Sequence, residues 1–490
     1  MPGRRALLGL GAVVLAERRG RRAEAETKQG LAAGAPRRGT RASPSLLRHE
    51  PGDLYFTNAE GRQVYLAGIH TWPASQDRGP AFDWPGFLAL QERIGGNFIR
   101  MWGIDGEDDH SVRGPTSPLP YARAADGRFD LLRFDAAFFD RIRGRAIEAG
   151  ERGMYVSQML FNGWGLQFGE PRNPFDASPW KAGNNVNGID GDPRGTGKGA
   201  DVQTLKDPAV TAIQEAYVRA VLDALNDLPN VLFEISNEAA NTDEAWAWQN
   251  HMLGVAKRHD GVRGLRHPVG LTAAAAWMGD RAGIDARLAG SAADWTSPDG
   301  LRHEADPPPA TGAKVSIVDT DHIWGIGGQS LDWVWRTFTR GHNILSMDSL
   351  RTPELAGRSV RYDTTPEQAA AEDAAREGIR QTRAVAAMLD LRGMRSRGEL
   401  SSTGFALADP ADGDFVVYAP EGGGFTLDLS GTAGKRLAVG WVDAEAGTVA
   451  EGGAVEGGNA SQSFAAPAGR ATALVLRPSE PMPPNRRPPG

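Results

Sequence analysis

Eight short apolar runs, each ending in polar or aromatic residues, punctuate the first 350 residues of the chain: 65–72, 97–104, 154–161, 231–238, 268–275, 292–297, 314–322 and 342–349. Stretches with helical spacing separate most of them, most clearly 85–94, 135–149, 208–226, 244–259 and 331–340. The segment before the fourth run shows the logic. Asp207-Pro208 supplies a cap and a first-turn proline, and apolar residues recur at Val210, Ile213, Tyr217, Val221, Ala224 and Leu228. Pro229-Asn230 then turns the chain into Val231-Leu232-Phe233-Glu234-Ile235-Ser236-Asn237-Glu238. A buried-strand pattern that stops in two polar residues presents them at the strand's end. Strands alternating with helices in this way predict an α/β fold, a (β/α)8 TIM barrel, with the sixth strand the weakest. The rival, an open doubly wound sheet, carries a Gly-rich phosphate loop after its first strand, and Gly68-Ile69-His70-Thr71-Trp72 has none.

Two connections are too long to be turns, 103–133 after the second strand and 162–206 after the third, and long loops in compact domains are functional or disordered. The second holds Asn184-Asn185-Val186-Asn187-Gly188-Ile189-Asp190-Gly191-Asp192, which reads as turn chemistry because it lacks the spacing of a Ca²⁺ loop. A last helix, capped by Thr365 with Pro366 at its first position and Gln368 three residues after the cap, runs to about Leu391. From about Glu399 the period changes to short β runs, 415–418, 425–429, 436–441 and 471–476, between Gly-rich turns, which predicts a small antiparallel β-sandwich. The expected organisation is a signal-like segment 1–25, a flexible linker 26–49, a barrel 50–398, a sandwich module 399–478 and a Pro-rich tail 479–490.

Composition narrows the function classes. The net charge is −7, and no dense Lys/Arg stripe marks the folded region, which argues against nucleic-acid binding. The chain has no Cys, so disulfides, thiol catalysis and thiolate metal sites are excluded. Arg4-Arg5 followed by the apolar run 6–16 and Ala23-Glu24-Ala25 reads as an export signal, of twin-arginine type, directing the protein to the periplasm or the exterior. That run is too short to span a bilayer, and no later segment is long and apolar enough, so no membrane insertion is expected after signal removal.

Polar residues at or just past the strand ends are His70, Arg100, Asn162, Asn237, Glu238, Asp319, Asp321, His322 and Asp348, and on a barrel these converge on one mouth. Of 13 Trp, Trp72, Trp102, Trp164, Trp277 and Trp324 each lie at or shortly beyond the end of a different strand. Flat indole faces backed by carboxylates suit a sugar, whose C–H groups stack on aromatics while its hydroxyls need hydrogen-bonding partners. His70 and His322 are candidate donors to those hydroxyls, and neither shows the spacing of a metal site, so no metal or other cofactor is expected. Glu234, four residues before Glu238, is expected inside the barrel, paired with Arg100 or another polar group, because an unpaired buried carboxylate is expensive. No Gly-x-Ser-x-Gly elbow supports an esterase reading.

Asn97-Phe98-Ile99-Arg100 and Asn237-Glu238 resemble the second- and fourth-strand motifs of the cellulase-like superfamily of (β/α)8 retaining glycoside hydrolases, over roughly residues 50–350. More closely, Val318-Asp319-Thr320-Asp321-His322-Ile323-Trp324-Gly325 and Glu234-Ile235-Ser236-Asn237-Glu238 resemble an uncharacterised bacterial group of glycosidase-like proteins. That group carries a C-terminal β-module related to one labelled collagen-binding, a label nothing in 399–478 supports. The resemblance implies a carbohydrate substrate, Glu238 as acid/base, Arg100 and Asn237 as residues that hold substrate and carboxylates, and a strand-seven Glu as nucleophile. Here strand seven offers Asp319 and Asp321 and no Glu. By strand alternation both point to one side, with Asp321 nearer the mouth, so Asp321 is the first candidate nucleophile, held ionised by Arg100; Asp319 and then Asp348 follow. Aspartate reaches about 1.5 Å less far than glutamate. Retaining enzymes hold their carboxyls about 5 to 5.5 Å apart and inverting ones about 6.5 to 9.5 Å, so one bond bears on mechanism. The expected function is a retaining O-glycosyl hydrolase; the alternative is a carbohydrate-binding barrel that has lost catalysis.

Overall fold

A computed structural model describes residues 43–107, 115–168, 173–263, 265–274, 281, 283–351, 364–467 and 469–479. The signal-like segment 1–25, most of the linker, the tail from 480 and Trp277 lie outside the described residues. Within them the chain forms two compact units, one running to Arg383 and resuming at Asp390–Ser396, the other comprising Ala384–Leu389 and the chain from Arg397.

All eight expected strands form one parallel sheet: β1 (Ala67–His70), β2 (Phe98–Met101), β3 (Tyr155–Asn162), β4 (Val231–Asn237), β5 (Val269–Thr272), β6 (Trp295–Ser297), β7 (Val315–Asp319) and β8 (Asn343–Met347). Hydrogen-bonded neighbours follow the order β1-β8-β7-β6-β5-β4-β3-β2, so the sheet curls into a nearly closed (β/α)8 barrel. The seam lies between β1 and β2, where Asn97 N donates to Ala67 C=O at 2.9 Å and Asn97 Oδ1 accepts from Ala67 N at 3.0 Å. Gly68 makes that approach possible, because a Cβ there would stand 2.1 Å from Phe98 O.

The helices are α1 (Trp84–Arg93), α2 (Ala136–Glu151), α3 (Pro208–Leu225), α4 (Asp243–Arg263), α5 (Ile284–Gly290), α6 (Leu331–Thr339) and α7 (Pro366–Ala386). Helix α3 starts as expected, with Asp207 accepting from Ala209 N and Val210 N, and buries Val210, Ile213, Tyr217 and Val221. The reciprocal cap of α7 is formed: Gln368 Oε1 accepts from Thr365 N at 2.9 Å and Thr365 Oγ1 from Gln368 N at 3.2 Å. The two-turn α5 gave no pattern long enough to read.

Strand period two stacks the barrel interior in layers. Phe98, Leu232, Ile317 and Leu345 share a buried cluster with Leu66, Tyr155, Trp295 and Val315. Two residues further along three of these strands stand Arg100, Glu234 and Asp319, with Arg100 donating to both carboxylates. Leu47 and Phe56 belong to the apolar cluster. Residues 43–49 therefore do not behave as the expected linker: Leu47 is buried, and Arg48 pairs with Thr57, because this cluster needs cover.

The two long connections pack on each other. A hairpin, Tyr121–Arg123 with Phe129–Phe134, shares a satellite core with Leu166, Phe175, Trp180 and Val202. The Asn run fixes the turns: Asn185 Nδ2 donates to Pro179 C=O and Ile189 C=O, and Asn187 Oδ1 accepts from Leu131 N.

The second unit is antiparallel. Strands β9 (Ala406–Asp409), β10 (Asp414–Ala419), β12 (Arg436–Asp443), β13 (Thr448–Glu456) and β15 (Thr472–Pro478) run in the order β9-β10-β15-β12-β13, while β11 (Gly424–Leu427) pairs with β14 (Gln462–Ala465). Phe415, Val417, Leu437, Trp441, Leu474 and Leu476 share one core with Phe425 and Leu427, in the manner of a sandwich.

Gly68→Ala is expected to lower the thermal unfolding midpoint through overpacking of about 1–3 kcal/mol at the barrel seam. An unchanged midpoint in a melting experiment would show that β1 and β2 can separate freely.

Candidate active site

Arg100, on β2, is the hub of the polar layer and is 1% exposed. Its Nε donates to Glu234 Oε2 at 2.8 Å and its Nη2 to Glu234 Oε1, the paired arrangement expected for Glu234. Nη1 donates to Asp319 Oδ2 at 3.1 Å and to Asp321 Oδ2 at 3.2 Å, and Nη2 also reaches Asn237 Oδ1 at 2.8 Å. The guanidinium lies 4.6 Å from the centre of the Trp102 ring. Burial opposes its charge, but Glu234, Asp319 and Asp321 outweigh burial and hold its pKa above the ordinary value.

One cation among three carboxylates divides their protonation. Asp319, at the end of β7, is buried, yet His70 and Arg100 overcome burial and hold its carboxyl well below the usual range. Trp102 Nε1 donates to His70 Nδ1 at 3.0 Å. An indole only donates, so Nδ1 accepts, and His70 Nε2 carries the proton given to Asp319 Oδ1 at 2.9 Å. Asp319 Oδ1 also accepts from Asp321 N at 2.9 Å. All of Asp319's bonds thus serve to hold the turn and the hub.

Asp321 lies beyond the strand, in the 3₁₀ turn Thr320–His322, not on the strand face that alternation predicted. Its side chain is 11% exposed, against 2% for Asp319. Burial, with the charge of Asp319 added, outweighs Arg100 and pushes the Asp321 carboxyl up to about 6. The expectation that Arg100 keeps it ionised therefore holds only above that pH.

Asn237 ends β4, and Glu238 follows it. Because Arg100 only donates, the oxygen of the Asn237 amide faces it, and the nitrogen donates to Glu238 Oε2 at 3.3 Å. Asn237 Nδ2 also reaches Asn162 Oδ1 at 3.4 Å, across the register pair of β3 and β4. His322 Nε2 donates to the same Asn237 oxygen at 3.2 Å, so its Nδ1 accepts from Ser297 Oγ at 3.1 Å; burial pulls the ring down to about 3. Burial first, and then the charge of Asp321, push the Glu238 carboxyl well above the usual range. Its backbone has φ 44°, the left-handed region that a non-glycine residue seldom occupies.

Structure and sequence differ at several candidates. His70 and His322 have both ring nitrogens engaged within the protein, as orienting groups for Asp319 and Asn237. Trp102 is 3% exposed and works beneath Arg100 instead of offering an open face. Trp72 meets it edge-on at 6.3 Å, Trp164 packs on Phe168 at 4.5 Å, and Trp324 stands edge-on to Trp333 at 5.6 Å while donating to Glu304. These three are partly exposed. Asp348 is not among the partners of Arg100; Arg376 of α7 grips it through Nε at 2.8 Å and Nη2 at 2.6 Å. Ser297, which ends β6 and holds His322, has no sequence signal beyond its position at a strand end.

No protein-family model matches the sequence, and no curated protein matches it. Solved structures do share the fold. A structure described as a glycoside hydrolase aligns with a TM-score of 0.57 at 13% identity, over 90% of this chain and 99% of its own. A glycoside hydrolase family 5 protein from Bacteroides vulgatus ATCC 8482 aligns with a TM-score of 0.55 at 13% identity, over 88% of this chain and 93% of its own. At such identity the likeness speaks for the fold, a (β/α)8 barrel followed by a β-domain.

Proposed function

We propose that this chain is a glycoside hydrolase that cleaves an O-glycosidic bond with retention, using Glu238 as proton donor and Asp321 as nucleophile. The observation that carries this reading is that Glu238 and Asp321 belong to one polar cluster, Asp321 bonded to Arg100 and Glu238 joined to it through Asn237, with burial and then a neighbouring carboxylate holding Glu238 well above the usual range and raising Asp321 to about 6. Such surroundings let one carboxyl keep its proton while the other is ionised, the division of labour a two-carboxylate site needs, and the proposal gives the proton to Glu238. The structural neighbours described as glycoside hydrolases, and the partly exposed Trp72, Trp164 and Trp324, are consistent with a sugar substrate.

In the proposed sequence Glu238 protonates the glycosidic oxygen as its bond to the anomeric carbon breaks, and Asp321 forms a bond to that carbon. The Glu238 carboxylate then takes a proton from water, whose oxygen displaces Asp321 and leaves both groups as they began. In this proposal the turn beyond β7, which carries Asp321, makes up for the aspartate arm, shorter than glutamate by about 1.5 Å. Arg100 steadies the charge of Asp321, and Asn237 orients Glu238. The signal-like segment 1–25 places the reaction, in this proposal, outside the cytoplasm.

Glu238→Gln is expected to lower reducing-end release from a panel of plant and bacterial polysaccharides by about 10²- to 10⁴-fold, and Asp321→Asn to abolish it. Full activity in the Gln variant would remove Glu238 from the role, and no release by the wild-type chain would favour a binding barrel. The proposed retention predicts that ¹H NMR of the first product shows the substrate's anomer; the opposite anomer would mean inversion. A second expectation concerns pH. Deprotonation activates Asp321, so kcat/KM should rise as pH increases through about 6. Deprotonation disables Glu238, so kcat/KM should fall again at higher pH. A profile that falls monotonically from pH 4 would assign the nucleophile elsewhere.

A further inference from the structure

The left-handed backbone of Glu238, φ 44°, persists only where neighbouring groups dictate it. On one side the neighbours come from the connection after β3. Gly163 N donates to Asn237 C=O at 2.7 Å, continuing the β3–β4 ladder past its last register pair. A Cβ at Gly163 would stand 2.6 Å from Ala239 Cα and 2.8 Å from Ala239 N, so this loop lies directly against the peptide that follows Glu238. Four residues on, the Gln167 amide nitrogen donates to Glu238 C=O and, at 3.2 Å, to Gly163 C=O.

Gln167 is 4% exposed, and its amide has one workable orientation. Turned over, its oxygen would face two carbonyl oxygens. As placed, Oε1 is buried and has no hydrogen-bond partner among the described residues. An orphaned acceptor is tolerated here in return for two satisfied carbonyls, one of them on the strained residue. Nothing in the sequence pattern marks Gln167, because it lies in a loop and contacts only backbone.

We propose that Gln167 is a positioning residue for the proton donor: by holding the Glu238 carbonyl it fixes the left-handed backbone and so aims and buries the Glu238 carboxyl. This rests on the reading of Glu238 as acid/base. Without the amide donor the backbone relaxes, the carboxyl gains solvent, and proton delivery to the leaving group is impaired while substrate contacts elsewhere persist.

The test uses the full chain with Gln167→Met, which keeps length and removes both donors, and Gln167→Glu, which sets a carboxylate against the carbonyls. Two probes carry the sugar that the wild-type chain releases from the polysaccharide panel, one as its phenyl glycoside and one as its 2,4-dinitrophenyl glycoside. The second leaving group departs without protonation. For both variants kcat/KM on the phenyl glycoside is expected to fall about tenfold to a hundredfold and on the dinitrophenyl glycoside to stay within about threefold, and for Gln167→Met the alkaline limb is expected to move to lower pH. Equal losses on both probes, no loss on either, or failure of both variants to fold would overturn the proposal, since each gives Gln167 a merely structural role or none. Glu238→Gln on the same probes separates the two readings. If it too spares the dinitrophenyl glycoside, the acid assignment stands whatever Gln167 does; if it shows no such dependence, that assignment itself falls.

Discussion

The site depends on one buried guanidinium shared by more carboxylates than it can neutralise. Arg100 touches Glu234, Asp319 and Asp321, and Glu238 lies within range of the same charges. Removing such groups from water is unfavourable unless each finds an opposite charge or a donor. Glu234 takes two guanidinium bonds, while Asp319 adds His70 and a backbone amide. Asp321 and Glu238 have weaker claims on the cation, so burial first, and then the charge of a neighbouring carboxylate, push both upward. Their chemistry thus follows from enclosure and from the neighbours around Arg100, and is not a property of either carboxyl alone.

The barrel was legible because its strands and helices carry different periods and because parallel strands buried on both faces read as near-continuous apolar runs. Seven of the eight strands lie within the runs read from the sequence, and β3 passes the end of its run by one residue, Asn162. The short α5 and the exposed, Gly-rich β13 were not legible: each is held by its neighbours, with little hydrophobic pattern of its own. In the site, position along a strand indicated which residues reach the mouth but not where their side chains are spent. Asp348 ends β8 as plainly as Asp319 ends β7, yet Arg376, 28 residues later on α7, captures it. Trp102 looked like its fellow indoles, and only the fold places it between Arg100 and His70. The second aspartate of Asp319-Thr320-Asp321 was expected on a strand, whereas the first caps the turn that carries it, a local hydrogen bond competing successfully with strand extension.

The long connections after β2 and β3 show how much of the molecule serves to hold rather than to react. Their apolar residues form a core of their own with α3, and the Asn side chains close turns in place of water. A loop of that length could have been a lid; its described part is instead a buttress whose near end, Gly163, abuts the residue after Glu238.

The hub's bonds also span the chain. Arg100 meets Glu234 across 134 positions of sequence and Asp319 across 219. A folding intermediate containing only β1 to β4 could pair Arg100 with Glu234 and remain electrically content, with Glu238 in place and no second carboxyl opposite. Addition of β7 brings Asp319 and Asp321 to the same guanidinium, where Asp319 also gains the His70 bond. Contacts so distant in sequence form slowly as a rule. The two carboxyls of the proposed pair therefore stand together only once β7 has joined β4 around Arg100, so that the site and the barrel are completed by the same long-range contacts.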